Sequence, residues 1–142
     1  MFLAVPLITQ DKSMACWFAC VQMLYAYKHA CADPMDATYQ ANTGISADQF
    51  ISLAKDAGLH TVPRVNQSYG WKFVDDLLDA YGPIWAAGDW NGVPHIVVLT
   101  GIDAGGKMIV NDPAFKTPQQ RNIGWFNAHI DASVPIPMMY LP

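Results

Sequence analysis

The 142-residue sequence contains no glutamate, because all 12 of its acidic residues are aspartates. The pair of glutamates that many glycoside hydrolases use is therefore excluded, although a pair of aspartates could still serve. Only 14% of the residues are charged. Even so, no apolar run approaches the ~18 residues that a membrane-spanning helix needs. We therefore expect a soluble domain that does not insert into a membrane.

Basic residues are also few. Eight lysines and arginines are dispersed along the chain, and the formal net charge is -4. The sequence therefore contains no basic cluster that would bind a phosphate backbone, and we expect no nucleic-acid partner.

Cysteine is too scarce for a disulfide framework. Small secreted domains usually carry an even number of cysteines, whereas this chain has three, so at least one thiol is free. Residues 1–8 are apolar and lack the positively charged region of a secretory signal peptide. We expect these residues to enter the fold as a strand.

The first half of the chain is predicted to be helical. Apolar spacing and capping residues predict one helix from about residue 14 to 30, a second between a capping box at residues 46–49 and Gly58, and a third from about residue 71 to 81. If Ser13 caps the first helix, Cys16 lies in its first turn, where unpaired backbone amides stabilise a thiolate.

The second half is predicted to form strands. Four apolar runs have strand character, at residues 84–87, 95–100, 107–110 and 138–141. Helices followed by sequential strands indicate an α+β fold with an antiparallel sheet. Residues 31–45 and 115–127 carry few periodic signals and are predicted to be long loops. A chain of this length fits one domain, residues 1–142, with one core.

The thiol of Cys16 is the candidate nucleophile. A catalytic cysteine needs a partner that handles its proton and donors for the oxyanion that develops during attack. Gln10 lies six residues before Cys16 and could donate its side-chain amide to the oxyanion beside the backbone N–H of Cys16. Cys20 follows one helical turn later, and core packing is its expected role.

His95 is the candidate base, at the start of an apolar strand. The next strand ends in Asn111 and Asp112, about level with His95 if the two strands pair. Cross-strand partners share a face, so the length of the hairpin decides which of the two residues faces the imidazole. The residues alone leave both possibilities open.

The arrangement Gln10-x5-Cys16-Trp17, with His95 and Asn111-Asp112-Pro113 far downstream, resembles the papain-like cysteine peptidases. It is most similar to two compact bacterial branches: the peptidase domains that process bacteriocin leaders on transporters, and the papain-like effector proteases that are delivered into other cells. The resemblance implies a papain-like fold in which the nucleophile helix of the N-terminal half packs on a C-terminal antiparallel sheet. It also implies a Cys16, His95, Asp112 triad with Gln10 in the oxyanion hole. Asn111 is the alternative third member, as in plant-type relatives.

The resemblance implies hydrolysis of a peptide bond through a thioester acyl-enzyme, with a protein or peptide as substrate and without a metal or an organic cofactor. Deamidation or acyl transfer at the same site, and a binding module that has lost catalysis, are the alternatives. A competition toxin that is neutralised by a cognate immunity protein also matches the resemblance. The protein is then expected to be cytoplasmic or delivered into a target cell by a specialised secretion route, as a free protein or as a domain of a larger one.

Overall fold

The computed structural model describes residues 1–10, 16–29, 49, 52, 56–63, 68–90, 92, 95–130 and 136–142. In chain order the elements are α1 (Cys16–Tyr27), β1 (His60–Thr61), α2 (Trp71–Tyr81), β2 (Ile84–Gly88), β3 (His95–Ile102), β4 (Met108–Asn111), β5 (Gln119–Arg121), α3 (Ile123–His129) and β6 (Met138–Tyr140). The strands form one six-stranded sheet in the order β1-β6-β2-β3-β4-β5, and all neighbours are antiparallel. The α+β prediction is confirmed.

Both faces of the sheet are covered by helices. Successive side chains of a strand point to opposite faces, and on β3 this alternation separates two apolar clusters. Ile96 and Val98 pack with α1 on one face, whereas Val97 and Leu99 pack with α2 and α3 on the other. The central strands are therefore buried on both sides, which explains their continuous apolar runs. None of the helices within the described ranges is long and apolar enough to span a membrane.

The helix predictions agree with the described residues. The first helix is found at Cys16–Tyr27, inside the predicted limits, and the third occupies Trp71–Tyr81 as predicted. Gly82 ends this helix, α2, with a φ of 77°, and its N–H donates to the carbonyl of Leu78. Of the second predicted helix, residues 49, 52, 56 and 57 are helical. The rest of that helix, the proposed cap Ser13 and the predicted loop at residues 31–45 lie outside the described residues.

The four predicted strands are present, with ends that differ by one or two residues. The predicted N-terminal strand is wrong, because residues 1–8 contribute only an isolated bridge between Phe2 and Gly101. The edge available to them is short, since β2 begins opposite Leu99 and leaves only the last residues of β3 free. The predicted loop at residues 115–127 is also wrong, because β5 and most of α3 lie there. Both elements are too short for periodicity to reveal, although Asn122 caps α3 by accepting from the backbone N–H of Trp125.

Candidate active site

His95 and Asp112 form a buried pair at one end of the sheet. Nε2 of His95 lies 2.6 Å from Oδ1 of Asp112, and the two side chains are only 10% and 5% exposed. The same carboxylate oxygen accepts the backbone N–H of Ala114 at 2.9 Å. The carboxylate is thus held from the turn that follows β4 while it orients the imidazole at the start of β3.

The surroundings of His95 favour its protonated form. Burial lowers the pKa of the imidazole, but hydrogen bonds to Asp112 and Cys16 outweigh it and raise the pKa to about 9. At neutral pH the ring therefore carries a positive charge. An imidazolium in this position stabilises a neighbouring thiolate.

Cys16 lies at the beginning of α1 and is partly exposed. Its side chain is close enough to His95 to contribute to the raised pKa of the imidazole. Because Asp112 binds Nε2, the ring nitrogen left to face the sulfur is Nδ1. Sulfur, imidazole and carboxylate are therefore connected in series, an arrangement that allows a thiolate to attack and a proton to be delivered to a leaving group.

Two side-chain hydrogen bonds tie α1 to the sheet beside this series. The Cys20 thiol donates to the carbonyl of Ile96 at 3.4 Å, and the Trp85 indole donates to the carbonyl of Trp17 at 3.3 Å. These acceptors adjoin His95 and Cys16 in the chain, so the bonds help to set the separation between helix and strand at the site. The sequence does not predict this hydrogen bond of Trp85, because no local pattern around residue 85 indicates a contact with Trp17.

The second cysteine of the helix is unsuited to nucleophilic attack. Cys20 is completely buried. Burial, and then the charges of Cys16 and Asp112, raise the pKa of its thiol well above the ordinary value. Cys20 therefore stays a neutral thiol, and the expectation that it packs in the core is confirmed.

The pairing of β3 with β4 shifts by one residue between Leu99 and Gly101. Thr100 is the additional residue on β3, and its hydroxyl donates to the carbonyl of Ile109 at 3.2 Å. The connection between the strands, residues 103–107, has an odd number of residues. Without the shift, this odd connection would place Asn111 opposite Leu99, on the face of the sheet that α2 and α3 cover.

With the shift, Asn111 is the partner of Val98. Cross-strand partners share a face, so the Asn111 side chain lies on the α1 side of the sheet. The register shift therefore accounts for the side on which Asn111 lies, and the carboxylate that contacts His95 belongs to Asp112, which follows the end of β4.

Gln10 is held next to the turn that carries Asp112. Its backbone N–H donates to the carbonyl of Pro113 at 2.9 Å. Asn111, on the other side of Asp112, donates its side-chain amide to the carbonyl of Val5 at 3.1 Å. The structure thus brings the Gln10 segment to the same end of the sheet as the His95–Asp112 pair.

The chain is similar to known proteases in sequence and in fold. Residues 2–131 match the family model described as papain-like cysteine protease AvrRpt2. The fold is similar to the solved structure of a double glycine motif protease from an AMS/PCAT transporter in complex with the leader peptide, with a TM-score of 0.58 and 21% identity over 97% of this chain and 90% of that chain. No curated protein matches the sequence.

Proposed function

Since this chain belongs to the papain-like cysteine protease family, we propose that Cys16, His95 and Asp112 are its catalytic residues and that they hydrolyse peptide bonds. The observation that carries the proposal is the position of His95, which is hydrogen-bonded to Asp112 and close enough to Cys16 for the two groups to interact electrostatically. We also propose that residues 1–142 form one domain, which is supported by a family match over nearly the whole chain.

In the first half of the reaction, the Cys16 thiolate attacks the substrate carbonyl carbon and forms a carbon–sulfur bond. The carbonyl electron pair moves to the oxygen, which becomes an oxyanion. When this intermediate collapses, the carbon–nitrogen bond breaks and the His95 imidazolium gives its proton to the departing amine. The products are a thioester on Cys16, a free amine and a neutral imidazole.

In the second half, the neutral imidazole of His95 takes a proton from water while the water oxygen attacks the thioester. The carbon–sulfur bond breaks, the acid is released, and the thiolate–imidazolium pair is restored. Asp112 stabilises the imidazolium in both halves and holds the ring orientation, as the third member of a triad does.

Gln10 is the proposed side-chain donor to the oxyanion. Its backbone is hydrogen-bonded to the turn after Asp112, so its position is coupled to that of the catalytic carboxylate. Removal of one donor of this kind costs on the order of 100-fold to 1,000-fold in rate. We therefore expect the kcat of Gln10→Ala to be about 100-fold to 1,000-fold lower than that of the native protein.

The proposed substrate is a protein or a peptide. The similar solved protease is in complex with a leader peptide, which supports a peptide as the ligand here. We further propose a role as a delivered effector or competition toxin, inhibited by a cognate immunity protein. This role is supported by the resemblance of the Gln10, Cys16, His95 and Asp112 pattern to delivered proteases.

The test is a digest of a proteome-derived peptide library, compared between the native protein and Cys16→Ala by mass spectrometry. New peptide termini that appear only with the native protein are the expected result. Lys72→Ala is the control, because Lys72 is an exposed residue of α2 that takes no part in the proposed reaction, and this variant should retain cleavage. Equal cleavage by Cys16→Ala would exclude the proposal, and a gain of about one mass unit without new termini would assign deamidation instead.

A further inference from the structure

We propose that Asn111 is a positioning residue for the oxyanion side of the site: its buried amide anchors the N-terminal segment that carries Gln10. The inference rests on the proposed function, in which Gln10 stabilises the oxyanion. It gives Asn111 a part distinct from orientation of His95, although Asn111 is the direct neighbour of Asp112 in the chain.

The anchor is a partly buried, long-range contact. Asn111 is 2% exposed, and its Nδ2 donates to the carbonyl oxygen of Val5, a residue 106 positions away in the chain. Loss of the amide would remove the donor from a partly buried carbonyl, which disfavours the contact between the two segments. The side chain thus links the end of β4 to the N-terminal segment on the α1 side of the sheet.

A second anchor lies on the other side of Asp112. The carbonyl of Pro113 accepts the backbone N–H of Gln10 at 2.9 Å. Between the two anchors, Val5, Leu7 and Ile8 pack against the apolar cluster of α1. The residues that flank Asp112 therefore hold the two ends of the span from Val5 to Gln10, while Asp112 itself holds His95.

This arrangement separates two effects of mutation. Loss of the Asn111 amide releases the Val5 end of the span and lets Gln10 move, but it leaves the hydrogen bond between His95 and Asp112 in place. Oxyanion donors act only within about 2.7–3.1 Å of the developing charge, so a small displacement of Gln10 lowers transition-state stabilisation. Proton handling by His95 should not change.

The variant Asn111→Leu tests the inference, because leucine has a similar size and lacks the amide. We expect kcat/KM of Asn111→Leu to fall at least 10-fold, with the loss in kcat and an unchanged alkaline limb of the pH profile. In the Gln10→Ala background the same substitution should cost less than about 3-fold, since the group it positions is already gone. A serine side chain is too short to reach Val5, so Asn111→Ser should show the same loss of activity. Asn111→Ser replaces Asn111→Leu in these measurements if Asn111→Leu does not fold.

Two further measurements need no known substrate. The first is the affinity for a peptide aldehyde: the thiol adds across its C=O bond, the sulfur bonds to carbon, and the proton ends on an oxygen that occupies the oxyanion position. Asn111→Leu and Gln10→Ala should weaken this affinity to a similar extent. The second is the rate at which iodoacetamide alkylates Cys16, which requires no oxyanion donor and should equal that of the native protein in both variants.

The outcomes distinguish the two proposals. If Gln10→Ala weakens aldehyde binding and Asn111→Leu does not, or if the two substitutions are additive in kcat/KM, the inference about Asn111 is overturned while the proposed function stands. A shift of the alkaline limb in Asn111→Leu would overturn it too, because it would assign Asn111 to His95. If the native protein neither binds the aldehyde nor cleaves a peptide, the proposed function itself fails.

Discussion

The Cys20 thiol donates to the carbonyl of Ile96 at 3.4 Å, and this contact joins the helix one turn after Cys16 to the strand one residue after His95. The sulfur that contacts the strand is buried, whereas the sulfur one turn earlier is partly exposed. A single helix therefore presents two thiols in opposite environments. One adjoins an imidazolium, and the other is surrounded by apolar side chains.

Thiol reactivity should follow these environments. Iodoacetamide reacts with thiolates, so Cys16 should be alkylated at pH 7 while Cys20, whose pKa is raised by burial, remains unmodified. Peptide mapping by mass spectrometry after short exposures measures both rates. His95→Ala should slow alkylation of Cys16, because the neighbouring positive charge is lost. Modification of Cys20 ahead of Cys16 in the native protein would contradict the prediction.

The pH dependence of cleavage should report His95. The imidazolium form is needed to protonate the leaving amine, and the raised pKa of about 9 keeps that form populated through neutral pH. Activity should therefore fall as pH rises through about 9. Asp112→Asn removes the negative charge that raises the pKa, so the alkaline limb of kcat/KM should move to lower pH. Gln119→Ala is the control, because Gln119 lies on β5, two strands away from the β3 strand of His95, and this variant should leave the alkaline limb unchanged. An unmoved limb in Asp112→Asn would show that Asp112 does not set this pKa.

Stability should also depend on the protonation of His95. In the folded state burial lowers the pKa of His95, but Asp112 and Cys16 raise it from its ordinary value of 6.5 to about 9. The folded protein then binds the proton more tightly than the unfolded chain, so the stabilisation is complete below pH 6.5 and is lost as pH rises through the folded pKa. Urea unfolding of the native protein should therefore show a free energy of unfolding that falls as pH rises from 6.5 to about 9. Asp112→Asn should show a smaller decrease, and an equal decrease would refute the assignment.

Gly88 should be required for packing beside the site. It is the cross-strand partner of His95, and a Cβ at this position would lie 2.4 Å from the carbonyl oxygen of His129 and 2.6 Å from the Trp90 ring. Gly88→Ala should therefore lower the free energy of unfolding by about 1–3 kcal/mol. Gly70→Ala is the matched control: a Cβ there meets nothing within 4 Å, and its cost should stay within about 1 kcal/mol. Thermal unfolding of both variants measures the difference, and equal melting temperatures would contradict the prediction.

Local patterns in the sequence were sufficient to predict α1, α2 and the central strands. Each of these elements has its own periodicity or a continuous apolar run, together with a stop signal such as Gly82, and these features act within a few residues. The same local reasoning failed for residues 1–8 and 115–127. Whether an extended segment becomes a strand depends on a free sheet edge, and elements as short as β5 carry too few residues to show a period.

By itself, the sequence determined which residue types could carry chemistry, Gln10, Cys16, His95, Asn111 and Asp112, and which elements most of them lie on. The tertiary structure alone decided that Asp112 faces His95 and that Asn111 faces the N-terminal segment. The reason is physical: the face on which Asn111 lies depends on a one-residue register shift at Thr100, and the contact of Asp112 with His95 joins residues 17 positions apart in the chain. The raised pKa of His95 is likewise tertiary, because burial and two partners from distant parts of the chain produce it together.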